Sequence, residues 1–241
     1  MLTNGELTME TAKLKPIINS MKAEDALSIA AEAAAQIAAA NASILKPTAK
    51  IELIAIGSST GGTEALATVL PALRPPLPPI VIVQHIPVGF SKLFADRINK
   101  ECILSVKEAA DGDIAKANSV YIAPGGLHMS VKKLEGTIKI LCHTGPKVHA
   151  CRPAVDVLFK SIAQQFKGGS AMGVILTGIG HDGTDGLLEM KKQGSPTIGQ
   201  DEATSVVYGM PKSAFDCGAV DKQLPLQSIA GAIMYRVQSR E

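Results

Sequence analysis

Hydrophobic and polar positions divide most of the chain after residue 50 into two alternating kinds of segment. Short apolar runs rich in β-branched residues, such as residues 51–56 and 80–83, are typical of strands buried on both faces of a parallel sheet. Between them lie amphipathic segments with helical spacing, such as residues 90–100. This alternation predicts parallel strands joined by right-handed crossovers. We therefore expect an α/β fold: a doubly wound, mainly parallel, Rossmann-like sheet in a three-layer arrangement.

The individual elements follow from the same pattern. Strands are expected at residues 53–57, 80–85, 104–109, 119–123, 171–177, 197–200 and 219–221. Helices are expected at residues 63–73, 90–100, 152–166 and 184–193, and after each of the last two strands. Two further segments, 128–134 and 137–143, flank Glu135-Gly136 and predict a small antiparallel β-hairpin. In such a sheet, ligands bind at the carboxyl ends of the strands.

The beginning of the chain has a different composition. Residues 23–40 are rich in alanine, which has the highest helix propensity, and Glu24 and Asp25 suit a helix N-terminus. The segment has few large apolar side chains to bury. We expect a helical or partly disordered leader over residues 1–49 and the main domain over residues 50–241. A specific docking helix is the alternative interpretation of the leader.

Composition argues against several classes of protein. The net charge is +2, aromatic residues make up 3% and tryptophan is absent, which disfavours a nucleic-acid partner. No apolar run is long enough to span a membrane without charges, and no secretion signal is recognisable. The four cysteines show no C-x-x-C pairing and are typical of thiols in a reducing compartment. We expect a cytoplasmic protein without membrane insertion.

Residues 57–61, Gly-Ser-Ser-Thr-Gly, join the first predicted strand to the first predicted helix. They match the G-x-S-x-G elbow, in which a serine lies on a tight turn at the carboxyl edge of a sheet. Ser59 is thus a candidate nucleophile. Alternatively, the same loop could cradle a phosphate in a nucleotide-binding module. It lacks the G-x-G-x-x-G spacing, however, and prolines occupy the stretch where a dinucleotide site would place its acidic ribose contact.

Two more polar side chains are expected at the same edge. His85 ends the second predicted strand, and Asp182 follows a later one. A Ser-His-Asp system needs this set, because the histidine takes the serine proton and the carboxylate orients the imidazole. The order Ser, His, Asp differs from that of the α/β-hydrolases. The simpler alternatives are a strand-end histidine bonded to backbone and an aspartate that caps the helix near Thr184.

Other residues near this edge have candidate roles. The N–H of Thr60, at the start of a helix, is the first candidate oxyanion donor, and the turn containing Ile179 could supply a second. Arg152 could hold an acidic substrate or pair with Asp156 four residues later. His181 is either a second base or ligand, or a solvent-facing loop residue. The remaining histidines lack metal-ligand spacing, so no metal site is expected.

Six sequence blocks resemble the catalytic domain of the chemotaxis protein-glutamate methylesterases, the CheB family. They follow in order over about residues 50–225: AIGSSTGGTEAL (55–66), QHIPVGF (84–90), YIAPGGLH (121–128), RPAVDVLF (152–159), GVILTGIGHDG (173–183) and YGMP (208–211). The resemblance implies hydrolysis of glutamate γ-methyl esters on methyl-accepting chemotaxis receptors, with release of methanol. It also implies deamidation of certain receptor glutamines.

The resemblance also implies roles for single residues. Ser59 would be the nucleophile, His85 the general base and Asp182 the acid that orients it, and Thr60 matches a threonine of the family's site. The family needs no cofactor and no metal. The sequence departs from the usual pattern at Ile179, where methionine is frequent, and at His181, where asparagine is frequent.

A larger departure concerns regulation. Typical members begin with a phosphoacceptor receiver domain, and the residues before Lys50 are too few for one. We expect either constitutive activity or control by a partner that docks on the alanine-rich leader. A CheB-like serine hydrolase acting on another protein ester, in a pathway other than chemotaxis, is the alternative function.

Overall fold

A seven-stranded sheet forms the centre of the part of the chain that the structure, a computed structural model, describes: residues 49–239. Its strands are β1 (Leu53–Ser58), β2 (Ile80–Gln84), β3 (Ser105–Glu108), β4 (Ser119–Ile122), β7 (Ala171–Ile175), β8 (Thr197–Gln200) and β9 (Lys222–Leu224). The strand order is β3-β4-β2-β1-β7-β8-β9, and every neighbouring pair is parallel. Strands β5 (His128–Leu134) and β6 (Thr137–His143) form the separate antiparallel hairpin that the sequence predicts.

Helices cover both faces of this sheet. They are α1 (Gly62–Ala72), α2 (Phe90–Glu101), α3 (Val155–Gln165), α4 (Thr184–Lys192), α5 (Met210–Asp216) and α6 (Leu226–Gln238). Alternate side chains of β1 belong to different cores, with Ile54 and Ile56 on the side of α1, α2 and α6. Leu53 and Ala55 lie on the side of α3, α4, α5 and the hairpin. The doubly wound, three-layer α/β fold expected from the sequence is confirmed.

The chain order of the strands places a crevice beside β1. From β1 the chain first moves to β2 on one side and later returns to β7 on the other. Such a switch in strand order opens a crevice at the carboxyl ends of the central strands. Ser58 is paired with Gln84 of β2, and Gly57 with Ile175 of β7, so the ends of the three central strands lie side by side.

Most element boundaries lie within two residues of the sequence prediction, and two starting points differ by three residues. The strand expected at residues 219–221 begins instead at Lys222, because Ala219 and Val220 are buried in the core as part of the preceding loop. The helix expected from residue 152 begins at Val155, whose N–H bonds to the carboxylate of Asp182. Residues 1–48 of the expected leader lie outside the described residues, and the boundary near residue 50 stays a prediction. No helix within 49–239 has the length and apolar character needed to cross a bilayer.

Close packing of β1 against α3 makes Gly57 a sensitive position. A Cβ at Gly57 would overlap Val155 Cγ1 and lie 3.3 Å from Phe159 Cζ. We expect Gly57→Ala to lower the free energy of unfolding by about 1–3 kcal/mol, as overpacking typically does. Gly231 of α6 is the matched control, since a Cβ added there would have no heavy atom within 4 Å. Gly231→Ala should raise stability by roughly 0.5–1 kcal/mol. Urea unfolding of both variants measures these changes. A Gly57→Ala variant with an unchanged free energy of unfolding would contradict such close packing.

Candidate active site

Ser59 lies on the short turn between β1 and α1. Its N–H donates to Thr177 O at 3.0 Å, and its carbonyl accepts from the N–H of Gly62 at 2.8 Å. Gly61, with φ of 78°, has the left-handed conformation that favours glycine at this bend. The turn leaves the Ser59 side chain half-buried at the carboxyl edge of the sheet. This is the placement that the elbow motif predicts.

Two hydrogen bonds connect Ser59 to His85 and His85 to Asp182. His85 Nδ1 is 3.0 Å from Ser59 Oγ, and His85 Nε2 is 2.7 Å from Asp182 Oδ2. Because a carboxylate can only accept, Nε2 carries the proton and Nδ1 is left to accept from the serine hydroxyl. The three side chains that the sequence places at one edge of the sheet are therefore in direct contact. The simpler interpretation of His85, a ring bonded only to backbone, is wrong.

Asp182 links the imidazole to the start of a helix. Its Oδ2 also accepts from the N–H of Val155 at 2.7 Å, and its Oδ1 accepts from the N–H of Asp156 at 2.9 Å. The carboxylate therefore caps α3, and the alternative that it caps the helix near Thr184 is wrong. Burial raises the pKa of Asp182, but the hydrogen bonds from His85, Asp156 and Val155 outweigh it and hold the pKa below its ordinary value. The group is thus ionised at neutral pH.

Gln84 fixes the backbone on either side of the Ser59–His85 contact, a role that the sequence did not reveal. Its side chain is buried, and its Nε2 donates to Ser59 O at 2.8 Å and to His85 O at 2.9 Å. Its Oε1 accepts from Ser58 Oγ at 2.6 Å. Every polar atom of the amide is thus used to join the ends of β1 and β2. A glutamine directly before the candidate histidine was the only signal in the sequence.

The two candidate oxyanion donors lie on loops next to Ser59. Among residues 49–239, no backbone oxygen accepts a hydrogen bond from the N–H of Thr60 or of Ile179. Gly178, which precedes Ile179, packs so closely on Ser59 that an added Cβ would lie 2.7 Å from the serine Cβ. Both N–H groups therefore belong to the rim of the turn that carries the hydroxyl. Their role as donors to an oxyanion stays a prediction.

Arg152 does not pair with Asp156, contrary to one of the two alternatives. Because α3 begins only at Val155, Arg152 lies before the helix, and helical i,i+4 spacing does not apply to it. Arg152 Nη1 donates to Gly145 O at 2.6 Å. Asp156 is buried and lies 2.8 Å from His149 Nε2. Contact between Arg152 and a substrate stays a prediction.

A tight turn next to the site brings a thiol close to His85. Val148 and Cys151 exchange backbone hydrogen bonds, and His149 and Ala150 between them have φ values of 50° and 61°. Left-handed residues other than glycine are uncommon, and the bond from His149 to Asp156 stabilises this turn. The turn places Cys151 Sγ 3.5 Å from His85 Nδ1. Burial, with the charge of Asp182 adding to it, raises the pKa of Cys151, so the thiol is protonated at neutral pH and is no rival nucleophile.

His181 is exposed, as its solvent-facing interpretation requires. Its ring packs edge-on against that of His149, with 4.5 Å between the ring centroids. It takes no part in the Ser59–His85–Asp182 hydrogen bonds.

Comparison with known proteins shows to which family this chain belongs. The family model described as CheB methylesterase matches residues 54–233. The chain belongs to the CheB methylesterase family.

Relatives of known name agree with this membership. A protein-glutamate methylesterase/protein-glutamine glutaminase 2 of Syntrophomonas wolfei is 49% identical over 199 residues, which is 80% of this chain and 58% of the relative. One named protein-glutamate methylesterase/protein-glutamine glutaminase 1, of Photobacterium profundum, is 45% identical over 97% of this chain and 66% of its own length. The chain thus spans less than two thirds of these curated relatives.

A solved structure matches the described domain as a whole. The crystal structure of the Thermotoga maritima CheB methylesterase catalytic domain is 40% identical, with a TM-score of 0.74. The match covers 77% of this chain and 98% of that one. The chain therefore contains a full-length counterpart of the CheB catalytic domain.

The position of Gln84 in this CheB domain predicts an effect on the reactivity of Ser59. In Gln84→Ala, the backbones that carry Ser59 and His85 lose their common partner. We expect the rate of Ser59 labelling by an organophosphonate to fall by about 10- to 100-fold, as misplacement of reacting groups by up to about 1 Å can do. Gln165→Ala is the matched control, since the Gln165 side chain also bonds to the backbone, accepting from the N–H of Lys133 away from the site. Equal labelling rates in the two variants would argue against the role of Gln84.

The lowered pKa of Asp182 predicts a pH-dependent contribution to stability. A carboxyl group whose pKa is lower in the folded state stabilises the fold fully above its unfolded value, about 3.9, and loses this effect as the pH falls through the folded pKa. Asp182→Asn should therefore lower the free energy of unfolding by about 1–3 kcal/mol at pH 7. The difference in free energy of unfolding between Asp182→Asn and the wild type should become smaller below about pH 4. Urea unfolding at pH 7 and at acid pH tests this, and a difference that widens in acid would contradict it.

Proposed function

We propose that this domain is a protein-glutamate methylesterase that hydrolyses glutamate γ-methyl esters on methyl-accepting chemotaxis receptors. The observation that carries the proposal is the hydrogen-bonded series Ser59–His85–Asp182 within a CheB catalytic domain. The curated relatives are named for the same activity and for protein-glutamine glutaminase activity. We include deamidation of receptor glutamines in the proposal, because it passes through the same acyl intermediate.

The first half of the reaction forms an acyl-enzyme. Ser59 Oγ attacks the ester carbonyl while its proton passes to His85 Nδ1, which lies 3.0 Å away. The N–H groups of Thr60 and Ile179 donate to the oxyanion that forms. As the tetrahedral intermediate collapses, the proton held by Nδ1 passes to the methoxide oxygen and methanol leaves. Glutamine would follow the same route and release ammonia.

The second half restores the enzyme. Water gives one proton to His85 Nδ1 and attacks the acyl carbon. That proton then passes to Ser59 Oγ as the bond to the acyl group breaks, and the released glutamic acid loses its remaining proton to solvent. In both halves the imidazole becomes positively charged for part of the reaction. Asp182, ionised and held by two backbone N–H groups, stabilises that charge without having to move.

The surface around the site supports a protein substrate. Large apolar side chains on the loops after β2, β7 and β8 and on the first turn of α2 are more than half exposed: Val88, Ile179, Val206, Phe90 and Leu93. Val206 packs over Gly61, and Gly178 beside Ile179 packs on Ser59, so some of these side chains lie at the rim of the turn. Exposed apolar side chains of this kind mark interaction surfaces. They suit a receptor helix that presents an apolar stripe beside the modified glutamate.

The proposal extends to location and partners. Four free cysteines fit a reducing, cytoplasmic location, where the cytoplasmic part of a receptor would be accessible. A regulatory partner that docks on residues 1–49 is also part of the proposal.

The alternative function, a CheB-like hydrolase in a pathway other than chemotaxis, uses the same chemistry on another protein ester. A nucleotide-binding module is not favoured, because binding of a phosphate by the loop does not require a histidine that is oriented by a carboxylate and bonded to the loop serine.

The decisive variant is Ser59→Ala, assayed with methyl-labelled receptors from the same organism. Loss of a nucleophile typically lowers the rate by about 10⁴–10⁶-fold, so release of labelled methanol should be abolished in practice. Thr63→Ala is the control, since it removes a nearby hydroxyl that donates to the side chain of Glu64. An unchanged rate in Ser59→Ala would end the proposal. Labelling of Ser59 without methanol release from any receptor would favour the alternative pathway.

A further inference from the structure

One thiol beside the site has no part in the proposed reaction. Cys151 Sγ lies 3.5 Å from His85 Nδ1, the nitrogen that also faces Ser59 Oγ at 3.0 Å. His85, Cys151 and Asp182 each offer a metal-ligating atom, and these atoms lie within 4.8 Å of one another. A thiol and an imidazole together are typical ligands of Zn²⁺.

The separation of the two atoms suits a tetrahedral zinc ion. Zinc binds thiolate sulfur at about 2.3 Å and imidazole nitrogen at about 2.0–2.1 Å, so two such ligands at the tetrahedral angle are about 3.5 Å apart. Cys151 Sγ and His85 Nδ1 have this separation. Little movement of either side chain is therefore needed for both to bind one ion.

The protonation state of His85 also suits a metal ligand. Histidines that bind metals usually donate the other ring N–H to a carboxylate, which orients the ring and leaves the ligating nitrogen unprotonated. Asp182 is such a partner, at 2.7 Å from Nε2. The arrangement that makes Nδ1 a base therefore also directs its lone pair to the side where Cys151 lies.

We propose that Cys151 and His85 form an inhibitory binding site for Zn²⁺. The ion binds Cys151 Sγ and His85 Nδ1, with Ser59 Oγ or water in the remaining positions, and the thiol proton is released to solvent. No electron is transferred. Nδ1 can then no longer accept the proton of Ser59. With two strong protein ligands, the site binds more weakly than a structural four-ligand site, so inhibition is reversible by a chelator. Mg²⁺ and Ca²⁺, which prefer oxygen ligands, do not substitute.

Binding is tested without any assay of activity. The reduced, full-length protein without an affinity tag competes for Zn²⁺ with a chelating dye, and its variants are compared. Cys151→Ala should weaken the tightest site by at least about tenfold, and Asp182→Asn by about 10- to 100-fold, as loss of a carboxylate behind a ligating histidine typically does. Cys217→Ala is the control, since Cys217 is an exposed thiol whose Sγ faces Ala214 O. Equal affinities of wild type and Cys151→Ala would overturn the proposal.

Alkylation gives a second measure on unmutated protein. Zn²⁺ should slow modification of Cys151 by iodoacetamide relative to that of Cys217, with the sites identified by mass spectrometry, and Mg²⁺ should not. Equal slowing of both thiols, or none, would overturn the proposal even if the variants folded poorly.

The inhibitory effect rests on the proposed esterase function and is tested separately. Zn²⁺ should slow methanol release by the wild type, and a chelator should restore it. Cys151→Ala should retain a larger fraction of its own zinc-free rate. Zinc that binds at Cys151 but leaves the wild-type rate unchanged would overturn the inhibitory part. A protein without any zinc-free esterase activity would refute the proposed function instead, and the binding comparison would still decide whether the site exists.

Discussion

The carboxylate of Asp182 holds together the parts of this structure on which the candidate site depends. It accepts three hydrogen bonds: one from His85, at the end of β2, and two from the first residues of α3. A buried carboxylate with fewer donors would have its pKa raised by desolvation. Here the donors outweigh burial, and the pKa is lowered. One ionised carboxylate thus fixes the position of the imidazole relative to the N-terminus of α3.

Parallel strands supply the rest of the arrangement, and buried amides hold their ends in register. Gln84 joins the ends of β1 and β2. Gln200, at the end of β8, connects the end of β7 to the loop after β8, accepting from the N–H of Thr177 and donating to Thr204 O. The Thr177 hydroxyl donates to Thr60 O and accepts from the N–H of Val207. Each strand end near Ser59 is therefore fixed by side chains that would be costly to leave unpaired in the core. A site held in this way needs little reorganisation during a reaction.

Much of the fold could be predicted from the sequence because the apolar runs of its inner strands are continuous and their helices amphipathic. Both strands of the hairpin have the predicted bounds. Apolar and polar residues alternate on both sides of Glu135-Gly136, and this pattern allows one register between the two strands. The last strand was misplaced because Ala219 and Val220 are apolar for a different reason, namely to fill the core from a loop. Periodicity reports burial, and it cannot tell a buried loop from a buried strand.

The same distinction applies to the site. Ser59, His85 and Asp182 each follow a strand, so topology alone brings them to one edge. Cys151 reaches that edge through a turn with two left-handed residues that are not glycine, and no sequence pattern predicts such a turn at His149-Ala150. Its conformation depends on Asp156, a buried partner seven residues after His149. Contacts set by topology can therefore be predicted from the positions of residues at strand ends in the sequence. Contacts set by a strained turn can be found only in the three-dimensional structure. In this chain the second kind brings a thiol within 3.5 Å of the nitrogen that serves as the candidate base, which makes that nitrogen available to a metal ion as well as to a proton.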